Sequence, residues 1–371
     1  MPYICKKYRF ADSMANHPDF KAAAKAGKIT LLPEESPTLT IPFPGKPGMV
    51  FVKQVEGLCN RLSAIRCKSV VLGLSGGLDS ALALLVAYEA FAKLKLNKKG
   101  ICVLSMPGFG TTKRTKGNAD RLVEALGLKM ETISIAKACR QHLKDIGHDG
   151  VTPDITYENA QARMRTLVLM DRANQIGGIV LGTGDMSEIA RGWCTFNGDH
   201  MSMFGVNAGV PKTIVREVCE WYAERRGGKV AAALRAILDT PISPELIPAK
   251  DGEIQQKTED KIGPYELHDF FLCEYCGFNK SSRAVLSAAK REFAKKYDAA
   301  TIEKWFGVFK RRLFTQAFKR NCAPDGIKIF TLYFSPYHWH VPSDFAASMP
   351  WDFVPETAPR GSKSAGKAVK K

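Results

Sequence analysis

Short apolar runs bounded by glycine recur through the middle of the chain, each followed by a longer stretch of helical periodicity. Ser69–Leu74, Ile101–Met106, Met130–Ile135 and Gly178–Thr183 read as buried strands. Phe51–Ile65 reads as an amphipathic helix leading into the first strand, and Ala81–Tyr88 as a helix leaving it. Ala119, Leu122, Val123 and Leu126 share one helical face, and Gly127 ends that helix. Asn159–Asn174 and Ile214–Tyr222 read as further helices, the second opened by Pro211. Such alternation predicts a doubly wound, mostly parallel α/β sheet with helices on both faces. From Pro241 to about Pro355 the pattern turns mostly helical. No internal repeat is visible.

Before this core, residues 1–30 are basic and weakly helical in pattern, and 32–48 are rich in Pro and Gly. The expected organisation is a strap over 1–50, one large domain over 51–355, and a disordered basic tail over 356–371. The formal charge of +17 favours polyanionic partners such as nucleotides. Much of it is dispersed, so nucleic acid is not expected as the partner. No run is apolar enough to span a bilayer, and Met1–Phe10 has no signal-like core. The ten cysteines are scattered and read as reduced thiols, which places the chain in the cytoplasm.

Ser75-Gly76-Gly77-Leu78-Asp79-Ser80 falls between the first strand and its helix. A turn of this kind aims backbone N–H groups and a helix N-terminus at one spot, which suits an anion. The glycines permit close approach, and Ser75 and Ser80 add hydroxyls. Asp79 is an acid where an anion is expected, which makes sense if it holds Mg²⁺ on that anion. No Gly-Lys-Ser/Thr follows, so this is not a kinase-type loop.

Gly182-Thr183-Gly184-Asp185-Met186-Ser187-Glu188 follows the fourth strand. Glu188 is then a second carboxylate that faces Asp79 across the strand ends, or else a solvated acid in a first helical turn. Asn159 and Arg163 lie one turn apart and can point at one ligand, or form a solvated helix face. Lys212, at a helix start, can reach phosphate.

Several strings then carry a specific resemblance: GLSGGLDSALA at 73–83, SMPGFGTT at 105–112, ENAQARMR at 158–165, LGTGDMSEIARGWCTFNGD at 181–199 and FGVNAGVPKTIV at 204–215. PISPEL at 241–246, PYELHDFFL at 264–272, FKRNCAPDG at 318–326 and SPYHWHVPSD at 335–344 continue it. The chain resembles NAD synthetase, of the ATP-pyrophosphatase superfamily, whose fold is the Rossmann-like adenine-nucleotide alpha-hydrolase type. The later strings are most similar to the synthetase portion of glutamine-dependent bacterial enzymes. The residues before the first strand are too few for their amidase domain, so free ammonia, or ammonia from a separate glutaminase, is the expected donor.

The resemblance implies ATP-dependent amidation of deamido-NAD⁺ through an acyl-adenylate, with release of AMP and pyrophosphate. It implies that Gly73, Leu74, Ser75, Gly76, Gly77, Leu78, Asp79 and Ser80 bind ATP together with Thr183 and Lys212. Asp79 and Glu188 would hold Mg²⁺. Asn159, Arg163, Glu188, Arg191, Gly192, Trp193, Cys194, Thr195, Asp199 and Lys319 would face deamido-NAD⁺, with Trp193 as a stacking surface. Compact ammonia-using members carry a lysine near Thr195-Phe196-Asn197 that is missing here, so the resemblance implies no lysine contact at that position. Asp185 is a candidate proton acceptor for the attacking amine. A homodimer or larger homo-oligomer is also implied. Two rivals are a tRNA-modifying ATP pyrophosphatase, which would give Cys273 and Cys276 a metal role, and a non-catalytic nucleotide- or RNA-binding protein. Paired structural thiols explain the two cysteines as well, because a zinc site needs a second ligand pair.

Overall fold

The computed structural model describes residues 46–111, 113–241, 246, 258–278 and 280–336. Most of the expected strap, the tail, Pro355 and most of the strings at 241–246 and 335–344 lie outside the described residues. The chain opens with α1 (Pro47–Ala64), then β1 (Val70–Gly73), α2 (Leu78–Lys93), β2 (Ile101–Ser105) and α3 (Lys113–Ala125). There follow β3 (Met130–Thr132), α4 (Ala136–Asp145), α5 (Ile155–Ile176), β4 (Ile179–Gly182), α6 (Met186–Arg191) and β5 (Phe204–Gly205). Helices complete the chain: α7 (Lys212–Arg226), α8 (Gly228–Leu238), α9 (Thr258–Ile262), α10 (Tyr265–Phe271), α11 (Ser282–Glu292), α12 (Ala299–Thr315) and α13 (Ala317–Arg320). A π-helical turn at Leu272–Gly277 extends α10.

The five strands form a parallel sheet in the order β3-β2-β1-β4-β5. This is the expected doubly wound sheet. Val70 and Leu72 face one core with α1, α2, α7 and α8; Val71, between them, faces another with Leu104, Val180 and residues of α4 and α5. Period-two alternation therefore divides one short strand between two cores. Helix α2 is buried on nearly every side, as its uninterrupted Ala/Leu/Val run requires. The chain reverses direction of winding between β1 and β4. Their carboxyl ends lie side by side there, where ligands of such sheets bind.

Boundaries moved where caps outrank periodicity. Helix α1 starts at Pro47, not Phe51, with proline in its first turn. Helix α5 starts at Ile155, not Asn159, because the Asp154 side chain accepts the Tyr157 N–H. Gly177 closes α5 in the left-handed region, at φ 62°.

Candidate active site

The glycine turn leaves β1 under tight steric control. Gly76 has φ +84°, and a Cβ there would lie 2.0 Å from the Thr115 carbonyl oxygen. Only glycine fits. The Ser75 hydroxyl accepts the Gly77 N–H at 3.2 Å and lies 3.1 Å from the Ser80 hydroxyl, which donates to the Gly77 carbonyl at 3.0 Å. Both serines thus shape the turn. Asn207, fully buried, donates to the backbone carbonyls of Asp79 (2.9 Å) and Thr183 (3.0 Å) and so ties the start of α2 to the end of β4. Gln54 of α1 holds Asn207 in turn, at 3.0 Å.

Three acids and one lysine meet at this junction. The Lys212 ammonium lies 2.6 Å from Asp79 Oδ2, 2.6 Å from Asp185 Oδ2 and 3.0 Å from Glu188 Oε1. Lys212 and Asp185 are buried; Asp79 and Glu188 keep a solvent-facing edge. Asp185 also caps α6 through the Glu188 N–H, which explains an acid at a helix N-cap. Burial pushes the Asp79 and Glu188 carboxyls up, and Lys212 pulls them back. Burial alone would pull the Lys212 ammonium down; the three carboxylates outweigh it and hold it well above the usual lysine range.

Helix α10 braces the cluster from behind. Asp269 accepts from the Ser187 hydroxyl with one oxygen, and from the Thr213 N–H (2.9 Å) and hydroxyl (2.8 Å) with the other. Ser187 accepts the Lys212 N–H at 2.8 Å. One carboxylate therefore sets the spacing of α6 against α7. One turn earlier, Tyr265 places its hydroxyl 3.4 Å from Glu188 Oε1 and its ring 5.1 Å from the Lys212 ammonium. Sequence reasoning missed Asn207, Asp269 and Tyr265, although each lies in a string it singled out.

The turn after α6 forms a second half of the site. Asn159 Oδ1 accepts the Thr195 hydroxyl at 2.7 Å, and Arg163 Nε donates to the Phe196 carbonyl at 3.1 Å. Asp199 accepts the Thr195 N–H at 2.8 Å. The Lys319 ammonium donates to the carbonyls of Gly192 (2.9 Å) and Cys194 (2.6 Å). Gly192 turns with φ +55°, and a Cβ would meet Gln316 at 2.5 Å. Trp193 carries the Arg312 guanidinium over its ring at 5.0 Å. Phe196 stacks on His200 (5.2 Å) beside the exposed Phe318.

Arg191 differs from expectation. It is fully buried behind this turn, with its guanidinium 4.7 Å from the centre of the Tyr265 ring. Its terminal nitrogens make no hydrogen bond to a described residue. Cys273 and Cys276 are buried thiols in the turn after α10. Among the described residues, the group able to hold a metal is Asp79, Asp185 and Glu188, whose ligand atoms lie within 4.8 Å of one another. It fits a hard divalent cation: all donors are carboxylate oxygens, and the buried Asp79 Oδ1 has no hydrogen-bond partner among the described residues. No helix among the described residues is long and apolar enough to cross a membrane.

Known proteins match this architecture. The chain is 38% identical to the glutamine-dependent NAD(+) synthetase of Mycobacterium tuberculosis, over 92% of this chain and 55% of that protein. It is 32% identical to the enzyme of the same name from Thermotoga maritima, over 81% of this chain and 48% of that protein. The chain thus spans about half the length of the curated relatives it matches. A glutamine-dependent NAD(+) synthetase from Cytophaga hutchinsonii shares the fold, with TM-score 0.66 and 19% identity over 81% of this chain and 54% of that one. The NMN synthetase of Francisella tularensis superposes with TM-score 0.55 and 25% identity, over 73% of this chain and 97% of that one. The model of the NAD synthase family matches residues 50–313, and with that span and these relatives the chain belongs to the NAD synthase family.

Proposed function

We propose that this chain catalyses ATP-dependent amidation of deamido-NAD⁺ to NAD⁺, with release of AMP and pyrophosphate. The observation that carries the reading is the meeting of the glycine turn, Thr183, Lys212 and the Asp79/Glu188 pair at the junction of β1 and β4. The turn's N–H groups and the N-terminus of α2 cradle the ATP phosphates. Asp79 and Glu188 would hold a Mg²⁺, which would supply positive charge to the phosphate oxygens. Lys212 adds a positive charge beside the leaving pyrophosphate. The nicotinate carboxylate attacks the α-phosphorus, and pyrophosphate leaves from the opposite side. Ammonia then attacks the acyl carbon, AMP leaves, and the amine's extra proton passes to a base. The chain's own part is to place these reactants and exclude water; no covalent enzyme intermediate forms. The dinucleotide lies against the Gly192–Asp199 turn, with Trp193 and Phe196 as aromatic surfaces.

Free ammonia, or ammonia from a separate glutaminase, is the nitrogen source in this reading, and the assembly is at least a homodimer. Pure protein with ATP, Mg²⁺, deamido-NAD⁺ and either ammonium or glutamine tests it, read as NAD⁺ and AMP. NAD⁺ from ammonium alone is the expected result. The likeness to an NMN synthetase adds one arm, with nicotinic acid mononucleotide in place of the dinucleotide. Turnover of the mononucleotide in preference would overturn the substrate assignment, and no turnover of either would overturn the activity.

A further inference from the structure

The Lys212 ammonium stands where a shared cation of Asp79, Asp185 and Glu188 would stand, at 2.6, 2.6 and 3.0 Å from their oxygens. The ring of Tyr265 closes the other side at 5.1 Å. Two cations cannot occupy this spot together, because the ammonium already fills the point that all three carboxyls share. Three carboxyls around one ammonium are an all-oxygen donor set of the kind a divalent ion takes. The Lys212 backbone is pinned by Ser187 at the start of α7, so only the four-carbon stem can move. A phosphate on the adjacent glycine turn would offer the ammonium new oxygens.

We propose that Lys212 holds the place of a divalent cation among Asp79, Asp185 and Glu188, and yields it only when a triphosphate takes up its ammonium. Asp185 is the third carboxylate of that cation site, in addition to its work as the cap of α6. The inference rests on reading the site as one for a metal–nucleotide complex. It adds that cation and nucleotide are taken together, with the free cation excluded. Asp185 then serves as a metal ligand, and its ion pair with Lys212 makes it unavailable as a proton acceptor while the cation is absent.

Binding of Mn²⁺ to the full chain without nucleotide, followed by electron paramagnetic resonance, tests this apart from turnover. Lys212→Met should bind Mn²⁺ about tenfold or more tighter than the wild type, because the resident charge is gone. Adding Asp185→Asn to Lys212→Met should remove that gain. Equal or weaker Mn²⁺ binding by Lys212→Met overturns the exclusion, and a double variant that keeps the gain overturns the assignment of Asp185. If uncompensated carboxylates leave Lys212→Met unfolded without metal, circular dichroism with millimolar Mn²⁺ decides. Folding restored by Mn²⁺ supports the proposal, and a chain still unfolded in Mn²⁺ overturns it. The NAD⁺ assay on the wild type is independent, so the activity and this inference can fail separately.

Discussion

The two halves of the site use polar groups in opposite ways. In the half between α2, α6 and α7, side chains meet side chains: Lys212 against Asp79, Asp185 and Glu188, and Asp269 against Ser187 and Thr213. In the turn at 192–199, apart from the Asn159–Thr195 pair, side chains hold backbone: Lys319 on two carbonyls, Arg163 on a third, Asp199 on an N–H. The first arrangement concentrates charge in a nearly dry place, where an ion is worth most and an unpaired one costs most. The second fixes the shape of a loop that carries Trp193 and Phe196. Under the proposed function, charge chemistry would fall to the first half and recognition of the dinucleotide to the second.

Removing the charge chemistry should have the largest effect. Asp79→Ala is expected to lower pyrophosphate release by about a thousandfold or more while dinucleotide affinity stays near normal. Pyrophosphate release at the wild-type rate would break the division between the halves.

Asp269→Asn comes next. An amide N–H must then face the Ser187 hydroxyl or the Thr213 donors, all of which need an acceptor. A loss of about 2 kcal/mol in stability is expected, together with a lower kcat, since α6 and α7 lose their common anchor. Thermal denaturation and initial rates check this; an unchanged melting temperature would show that the brace is dispensable.

Lys319→Met should act on the other half alone. Two buried-side carbonyls lose their donor, so KM for the dinucleotide should rise about tenfold with kcat little changed. A fall in kcat at unchanged KM would place Lys319 with the charge chemistry instead.

The smallest effect lies behind both halves. Burial, then Arg191, holds His268 neutral, its pKa well below the ordinary 6.5. The unfolded chain takes a proton below that value and the folded chain does not, so stability present at neutral pH falls on acidification. The expected loss is about 1 kcal/mol at pH 5.8, and His268→Gln should remove that part of the slope. Denaturation curves at pH 7.5 and 5.8 settle it; identical slopes in the two proteins would clear His268.

Much was legible in the order of residues. Apolar runs placed four of the five strands, the two-residue β5 being too short to show a pattern, and the Gly76 turn was recognisable because its chemistry is local. The helix starts at Pro47 and Ile155 were missed through underuse of capping signals that the sequence does contain. The third strand stops at Thr132, short of the expected Ile135, at the exposed edge of the sheet, where Glu131 and Thr132 face solvent.

Sequence by itself determined the sheet, the phosphate-type turn and most residues near it, since periodicity and turn chemistry act over a few neighbours. Tertiary structure decided who partners whom. Lys212 reads as a phosphate contact from its position at a helix start, yet it lies among carboxylates from α2 and α6. Arg191 reads as a dinucleotide contact by resemblance and is buried against Tyr265, from a helix far along the chain. Charge pairing and burial depend on distance through space, and that distance is set only when the helices pack.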